Sequence, residues 1–299
     1  MKPKHWFAFI LLAAVWSSSF LWIKIAVAEI SPAMLVALRT LFGALTGLLA
    51  IVVTRTPLPR QRSIWYALAL LGLTNVAIPF VLISWGEQTI DSAIASILNA
   101  TVPLFTILLV TFFLHDDRLT LPRLLGLLVG FGGVIILLAK DFTPGSHNSI
   151  LGQAAVLLAA IFYAGSAVFA RLKTDKVPGL VRGILPLVSA SLIMWTGTTL
   201  VERPLKLPAL PITWVAVLWL GVLGSGLAFY LWYYLLQEVG PTRATLVTYT
   251  MPLGGVLLGV IFLNEPLSWN LAFGGLLIVL SVIMVNRKTI PARQEQAPK

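Results

Sequence analysis

Long apolar runs, each close to 20 residues and separated by short polar or Pro/Gly-containing breaks, dominate the chain. About 20 apolar residues suffice to cross a bilayer as a helix. That rule predicts spans near 6–28, 33–53, 63–85, 92–114, 121–139, 151–171, 180–200, 212–235, 242–263 and 268–286. The breaks carry Ser31-Pro32, Pro57-Leu58-Pro59, Pro144-Gly145, Pro178-Gly179, Pro208 with Pro211, and Gly240-Pro241. No stretch is left over for a water-soluble domain.

The pattern also repeats. A constant offset of 149 pairs Trp65 with Trp214, Gly72 with Gly221, Phe80 with Phe229, Gln88 with Gln237, Pro103 with Pro252 and Leu114 with Leu263. Nearer the start, Leu11-Leu12-Ala13-Ala14 matches Leu157-Leu158-Ala159-Ala160 at an offset of 146. Five spans fall in each half, 6–139 and 151–286. An odd number forces the second copy to enter the membrane from the opposite side. Inverted repeats of this kind give many secondary transporters two exchangeable faces around one midplane site. The expected fold is therefore an all-α integral membrane protein of ten helices, two inverted five-helix repeats around a central cavity.

Composition agrees. Residues are 58% hydrophobic and only 11% charged, against about 25% charged in soluble domains. The formal charge of +10 points to cytoplasmic loops rather than nucleic acid. With the N-terminus inside, sixteen Lys and Arg fall on cytoplasmic segments and three, Lys140, Arg203 and Lys206, outside. Such a bias sets orientation, and it places both termini in the cytoplasm. Residues 1–28 resemble a signal peptide ending at Ala26-Val27-Ala28. Lys24 interrupts the run, however, and the stretch has a partner in the second half, so it reads as a retained first helix. The absence of Cys excludes thiol chemistry and Cys-ligated metals.

Polar residues inside the spans are the candidate chemistry. Pro103 and Pro252 sit mid-span, and a helical Pro frees the carbonyl four residues back. Those carbonyls belong to Asn99 and Thr248, which are themselves equivalent in the repeat. The two prolines read either as packed kinks or as helix breaks lining a cavity. Trp16, Ser17 and Ser18 on the first span, Asn75 on the third, Tyr163 and Ser166 on the sixth, Ser225 on the eighth, and Thr248 and Tyr249 on the ninth fall at one depth. Each alone would suit close helix packing. As a set they describe a neutral, hydrogen-bonding, aromatic-walled substrate site.

Two full charges lie within spans, Lys24 and Arg39, both towards the outer side. Lys24 could snorkel to the interface. Arg39 lies deeper, about 9 Å along its helix from Ala33, and needs a partner. An ion pair with Glu87 or Glu29, structural or gating, ranks slightly ahead of a clamp for a substrate carboxylate. No Asp or Glu stands mid-span, and His5, His115 and His147 are terminal or in loops. Proton-coupled carriers commonly use an embedded carboxylate or His, so facilitated diffusion is expected. The alternative is a drug-efflux carrier, proton-coupled by a less visible route.

Gly126, Gly130, Gly132 and Gly133, with Gly274 and Gly275 in the partner span, mark close packing within the monomer or in a homodimer. They are not a phosphate loop, since no Lys-Ser/Thr follows. No paired carboxylates, His-Glu-x-x-His or Ser–His constellation lies within a span. No enzyme activity, cofactor or metal is therefore expected; the expected partners are a small-molecule substrate and the lipid bilayer.

Over both halves the chain resembles the ten-span EamA type of the drug/metabolite transporter superfamily. The residues that carry the resemblance in the first half are Trp16 to Lys24, Arg39, Ala95-Ser96-Ile97-Leu98 leading into Pro103-Leu104, and Leu114 with Asp116. In the second they are Tyr163 to Arg171, Ala244 leading into Pro252-Leu253, and Leu263-Asn264-Glu265-Pro266-Leu267. The resemblance implies movement of small organic solutes, commonly amino-acid or metabolite export, across a bacterial inner membrane. One departure is that Leu185 stands where the repeat would place a counterpart of Arg39.

Overall fold

The computed structural model describes residues 2–113, 120–139, 141 and 148–286. Leu114, His115, Asp116, Arg118, Lys140, Pro144-Gly145, His147 and the basic residues after Asn286 lie outside these described residues. Among the described residues every regular element is helical. In order these are α1 (Pro3–Ser17), α2 (Ser19–Val27), α3 (Pro32–Val53), α4 (Arg62–Leu71), a π segment (Gly72–Ala77) and α5 (Ile78–Gly86). Next come α6 (Ser92–Asn99), α7 (Val102–Phe113), α8 (Leu121–Ala139), α9 (Ile150–Lys173) and α10 (Gly179–Val201). The chain continues through α11 (Pro211–Leu218), a second π segment (Trp219–Leu227), α12 (Ala228–Val239), α13 (Pro241–Ala244), α14 (Leu246–Leu263) and α15 (Trp269–Asn286).

Joined across their interruptions, nine of the described helices are long and apolar enough to cross a membrane; Trp269–Val285 forms a shorter apolar helix. The rods fall where the hydropathy pattern predicts them. Their polarity is inverted relative to a water-soluble fold. Thr40, Gln153, Ser92 and Ser225 are wholly buried, while Trp269, Val201 and Val53 are largely exposed. Apolar side chains facing outward around a partly polar interior suit a bilayer as solvent.

Several rods are interrupted, and each interruption has a local cause. The first pauses at Ser18, whose hydroxyl turns back to donate to the Val15 carbonyl. The fourth breaks at Ala100-Thr101: Pro103 supplies no N–H, and α7 starts afresh from Val102. The first π segment begins at Gly72, and the second, which begins at Trp219, contains its repeat-equivalent Gly221. In the second, the Ser225 hydroxyl donates to the carbonyl of Leu220, five residues back. The expected break at Pro252 does not form. Helix α14 runs through it from Leu246 to Leu263, and the interruption of this rod falls earlier, between α13 and α14. The hydroxyls of Thr248 and Thr250 donate to the carbonyls of Thr245 and Val247 in the turn before the proline. Neither reaches the Thr248 carbonyl, the one that the ring leaves without its backbone donor.

Small residues bring the rods together. Helix α8 packs along α15, α3 against α10 and the second π segment, α5 against α9, and α6 against α14. A Cβ on Gly133 would sit 2.8 Å from the Gly274 carbonyl oxygen, and one on Gly274 would sit 2.8 Å from that of Gly133. Gly126 and Gly130 likewise face α15. This glycine stripe is therefore consumed inside the chain; only Gly132 faces open space.

Candidate functional site

A cavity of about 380 Å³ lies between the rods and draws its walls from α1–α3, α5–α7, α9, α12, α14, α15 and both π segments. Its aromatic surface comes from Trp16, Phe20, Phe80, Tyr163, Phe229, Trp232 and Tyr249. Polar positions are few: Ser19, Arg39, Asn75, Ser96, Asn99 and Thr248. No Asp or Glu is among the lining residues. Trp16 is held in place twice: its indole N–H donates to the Gly224 carbonyl at 3.3 Å, and its ring lies 5.4 Å from that of Trp232.

Of the residues singled out from sequence, Trp16, Asn75, Asn99, Tyr163, Thr248 and Tyr249 line the cavity, as do Arg39, Pro103 and Pro252. Ser17, Ser18, Ser166 and Ser225 do not. The Ser17 hydroxyl donates to the Thr250 carbonyl at 3.2 Å, joining α1 to α14. Ser18 accepts from the Trp219 indole at 3.0 Å, Ser166 donates to Thr74 at 2.9 Å, and Ser225 receives Arg39. These serines are interhelical ties, the packing reading anticipated for any single hydroxyl. Ser19, Ser96, Phe80 and Phe229 line the cavity instead. Phe80 and Phe229 carried a signal, being an exact repeat pair; Ser19 and Ser96 needed the helical rotation that only the fold supplies.

The break between α6 and α7 delivers acceptors to the wall. The carbonyls of Asn99 and Ala100 receive no backbone N–H outside the helices among the described residues. The side-chain oxygen of Asn99 is buried and also without a hydrogen-bond partner. In an apolar surrounding such groups call for a ligand or water.

Polar staples gather at one end of the bundle. Lys24 Nζ donates to the carbonyls of Glu87 at 2.7 Å and Ile90 at 2.8 Å. The Glu265 carboxylate accepts the backbone N–H groups of Ser92 at 2.7 Å and Ala93 at 2.9 Å, capping α6. Asn148 pairs with Asp91, and Gln153 donates to Asp141. Glu29 accepts from the backbone of Ala209 and Leu210 and from the Thr213 hydroxyl. The Thr213 bond, followed by the two backbone bonds, holds its carboxyl below the usual 4.5. At the opposite end Glu238 meets His5 at 3.0 Å and Lys4 at 3.7 Å.

The ion pair expected for Arg39 is not formed. Among the described residues no carboxylate lies within 4.0 Å of its guanidinium. Its Nε donates to Ser225 at 3.1 Å and its plane covers the Phe80 ring at 3.8 Å. Glu29 is occupied by the 209–213 segment. Glu87 caps the end of α5 with a wholly buried carboxyl, neither oxygen of which is hydrogen-bonded. The Lys24 contact with Glu87 is to its backbone carbonyl.

The sequence carries the same family signal along its length. A family model described as the EamA-like transporter family matches residues 4–139 and 150–287. The uncharacterized inner membrane transporter YedA of Escherichia coli (strain K12) is 29% identical over 97% of this chain and 94% of its own. A Streptantibioticus cattleyicolor protein named "Probable terminal-alkyne amino-acid exporter" is 29% identical over 96% of this chain and 95% of its own. The uncharacterized transporter YoaV of Bacillus subtilis (strain 168) is 22% identical over 92% and 94%. A crystal structure with 22% identity superposes at a TM-score of 0.67, covering 96% of this chain and 98% of that one, and thus shares the fold. With apolar rods of membrane-spanning length and family matches in both halves, the chain belongs to the EamA-like transporter family and is a multi-pass transmembrane transporter.

Proposed function

We propose that this protein is a secondary transporter that exports amino acids or related small metabolites across the inner membrane. It works by alternating access around the central cavity, without coupling to protons. Its working units are two inverted five-helix repeats, 6–139 and 151–286, with both termini in the cytoplasm. In that orientation two separate staples, Lys24 on the Glu87 and Ile90 carbonyls and Glu265 on the start of α6, close the outer face. The observation that carries the reading is the cavity itself: aromatic walls, uncharged hydrogen-bonding groups, a single cationic residue and no carboxylate. A proton-driven pump would want a titratable acid or His within reach of the substrate, and the lining offers none. The relative named "Probable terminal-alkyne amino-acid exporter" supports the substrate class. Substrate contacts fall to Trp16, Asn75, Asn99, Tyr163, Thr248 and Tyr249, with the Pro103 break presenting the acceptors.

Counterflow tests the reading. Liposomes containing the purified protein and loaded with an unlabelled amino acid should accumulate the labelled form transiently, and Asn99→Ala should abolish the overshoot. Absence of overshoot for every amino acid tried would reject it and bring drugs, nucleobases and sugars forward.

A further inference from the structure

Arg39 is the one charged residue among those lining the cavity. It is 7% exposed, and a cation taken that far from water is strongly disfavoured unless it is paired. A guanidinium carries five N–H donors. Among the described residues Nε alone is hydrogen-bonded, to Ser225, and no counter-ion lies within 4.0 Å. The remaining four donors meet no acceptor among the described residues.

The surroundings fix this group rather than neutralise it. Phe80 covers one face of the guanidinium. Ser225 holds Nε while donating its own proton to the Leu220 carbonyl. Those two contacts leave the terminal nitrogens as an in-plane fork, which matches a planar carboxylate in two parallel hydrogen bonds. Tyr163 and Glu87 are its electrostatic neighbours, and Tyr163 stands on the same cavity wall. Lys24 is not available for the task, being committed to two carbonyls.

We propose that Arg39 is the carboxylate-binding residue of the cavity, positioned by Ser225 and Phe80, so that the transported class is small solutes bearing a free carboxylate. This rests on the transport reading above and narrows it. An α-amino acid held there leaves its ammonium to the other groups lining the cavity. The unpartnered Asn99 oxygen and the partially negative C-terminal end of α6 await a cation there. The repeat supplies Leu185 at the position related to Arg39, which gives the cavity a single anchoring end.

The test is a binding titration on the purified full-length protein, followed by its tryptophan fluorescence. The probes are leucine, leucinamide and 4-methylpentanoate, together with the matching phenylalanine set. The wild type should bind each free acid at least about tenfold more tightly than its amide, the scale of a charge-assisted hydrogen bond. Arg39→Gln should erase that preference, and Arg39→Lys should restore part of it. Should Arg39→Gln not fold, Ser225→Ala and Phe80→Leu should each shrink the preference in folded protein. Equal binding of acid and amide, or no binding of any carboxylate, would overturn the assignment. So would full restoration of Arg39→Gln by Glu87→Gln, which would make Glu87 the counter-ion of Arg39. Flux in liposomes separates the two layers. Acid-selective binding without amino-acid flux would defeat the exporter reading and leave the Arg39 assignment standing. Amino-acid flux that ignores the carboxylate would do the reverse.

Discussion

Glu265 and Ser92 stand 173 residues apart in the chain, yet the carboxylate of one accepts the backbone N–H of the other at 2.7 Å. The second oxygen accepts from Ala93 at 2.9 Å, so a residue in the second half caps a helix in the first. The fit is tight: a Cβ on Gly259 would collide with the Glu265 carboxyl. Helix N-termini leave such donors unsatisfied, and a carboxylate there also complements the helix dipole. Glu265→Ala should destabilise the protein by about 1–3 kcal/mol. A fall of several degrees in the melting temperature of detergent-solubilised protein, with Glu265→Gln intermediate, would bear this out. An unchanged melting temperature would show that the cap contributes nothing.

Asn99 and Tyr163 face the cavity from the α6–α7 break and from α9. Asn99→Ala and Tyr163→Ala should each reduce transport about tenfold or more, the loss expected when a ligand hydrogen bond goes. Both proteins should elute as folded, monodisperse species on size-exclusion chromatography. Normal flux in both variants would place the substrate elsewhere.

Lys24 holds the turn between α5 and α6 through two carbonyls. Lys24→Met should loosen that end of the bundle. The chain has no Cys, so one introduced at Ser96 is a unique reporter on the cavity wall. Labelling of that site by an impermeant thiol reagent added outside whole cells should accelerate several-fold in the Lys24→Met background. Equal labelling rates would mean that Lys24 does not hold the outer closure.

Much of this architecture was legible in the sequence, and the limits have physical causes. Apolar length located each rod within a few residues, because a helix that satisfies its own backbone in lipid has little other option. The depth of Asn75, Asn99, Tyr163 and Tyr249 followed from the repeat. Rotation about the helix axis did not: Ser17 and Ser18 point to neighbouring helices while Ser19 meets the cavity, and only packing decides between adjacent positions. The π segments were hidden for a similar reason. They arise where Gly221 lets the second π segment close on Phe42 and the Arg39 carbonyl, a relation between distant stretches. Pro252 shows the reverse. Equal residues at equal repeat positions gave a break at Pro103 and an unbroken helix at Pro252: Thr101 and Thr250 donate to the matching carbonyls of Leu98 and Val247, and the halves differ in the earlier α13–α14 interruption. Charge alone pointed to Glu87 or Glu29 as the partner of Arg39, whereas in the fold its neighbours are the Phe80 ring and the Ser225 hydroxyl.

Glu29 gives a pH signature. Its carboxyl, held below the usual 4.5 chiefly by the Thr213 hydroxyl, contributes stability that is fully present above that value. The contribution is lost as the pH falls through the lowered folded-state value. Melting temperature followed from about pH 6 to pH 3 should therefore drop more steeply in the wild type than in Glu29→Gln. Parallel curves would show that the Glu29 contacts with the 209–213 segment add no pH-dependent stability.

The most direct measurement is efflux of a panel of radiolabelled amino acids from proteoliposomes, with and without an imposed pH gradient. Protein-dependent efflux of one or a few amino acids, at a rate indifferent to the gradient and lost in Asn99→Ala, is the result expected of a facilitative exporter with a carboxylate-free cavity. Flux that requires the gradient, or no amino-acid flux at all, would contradict it.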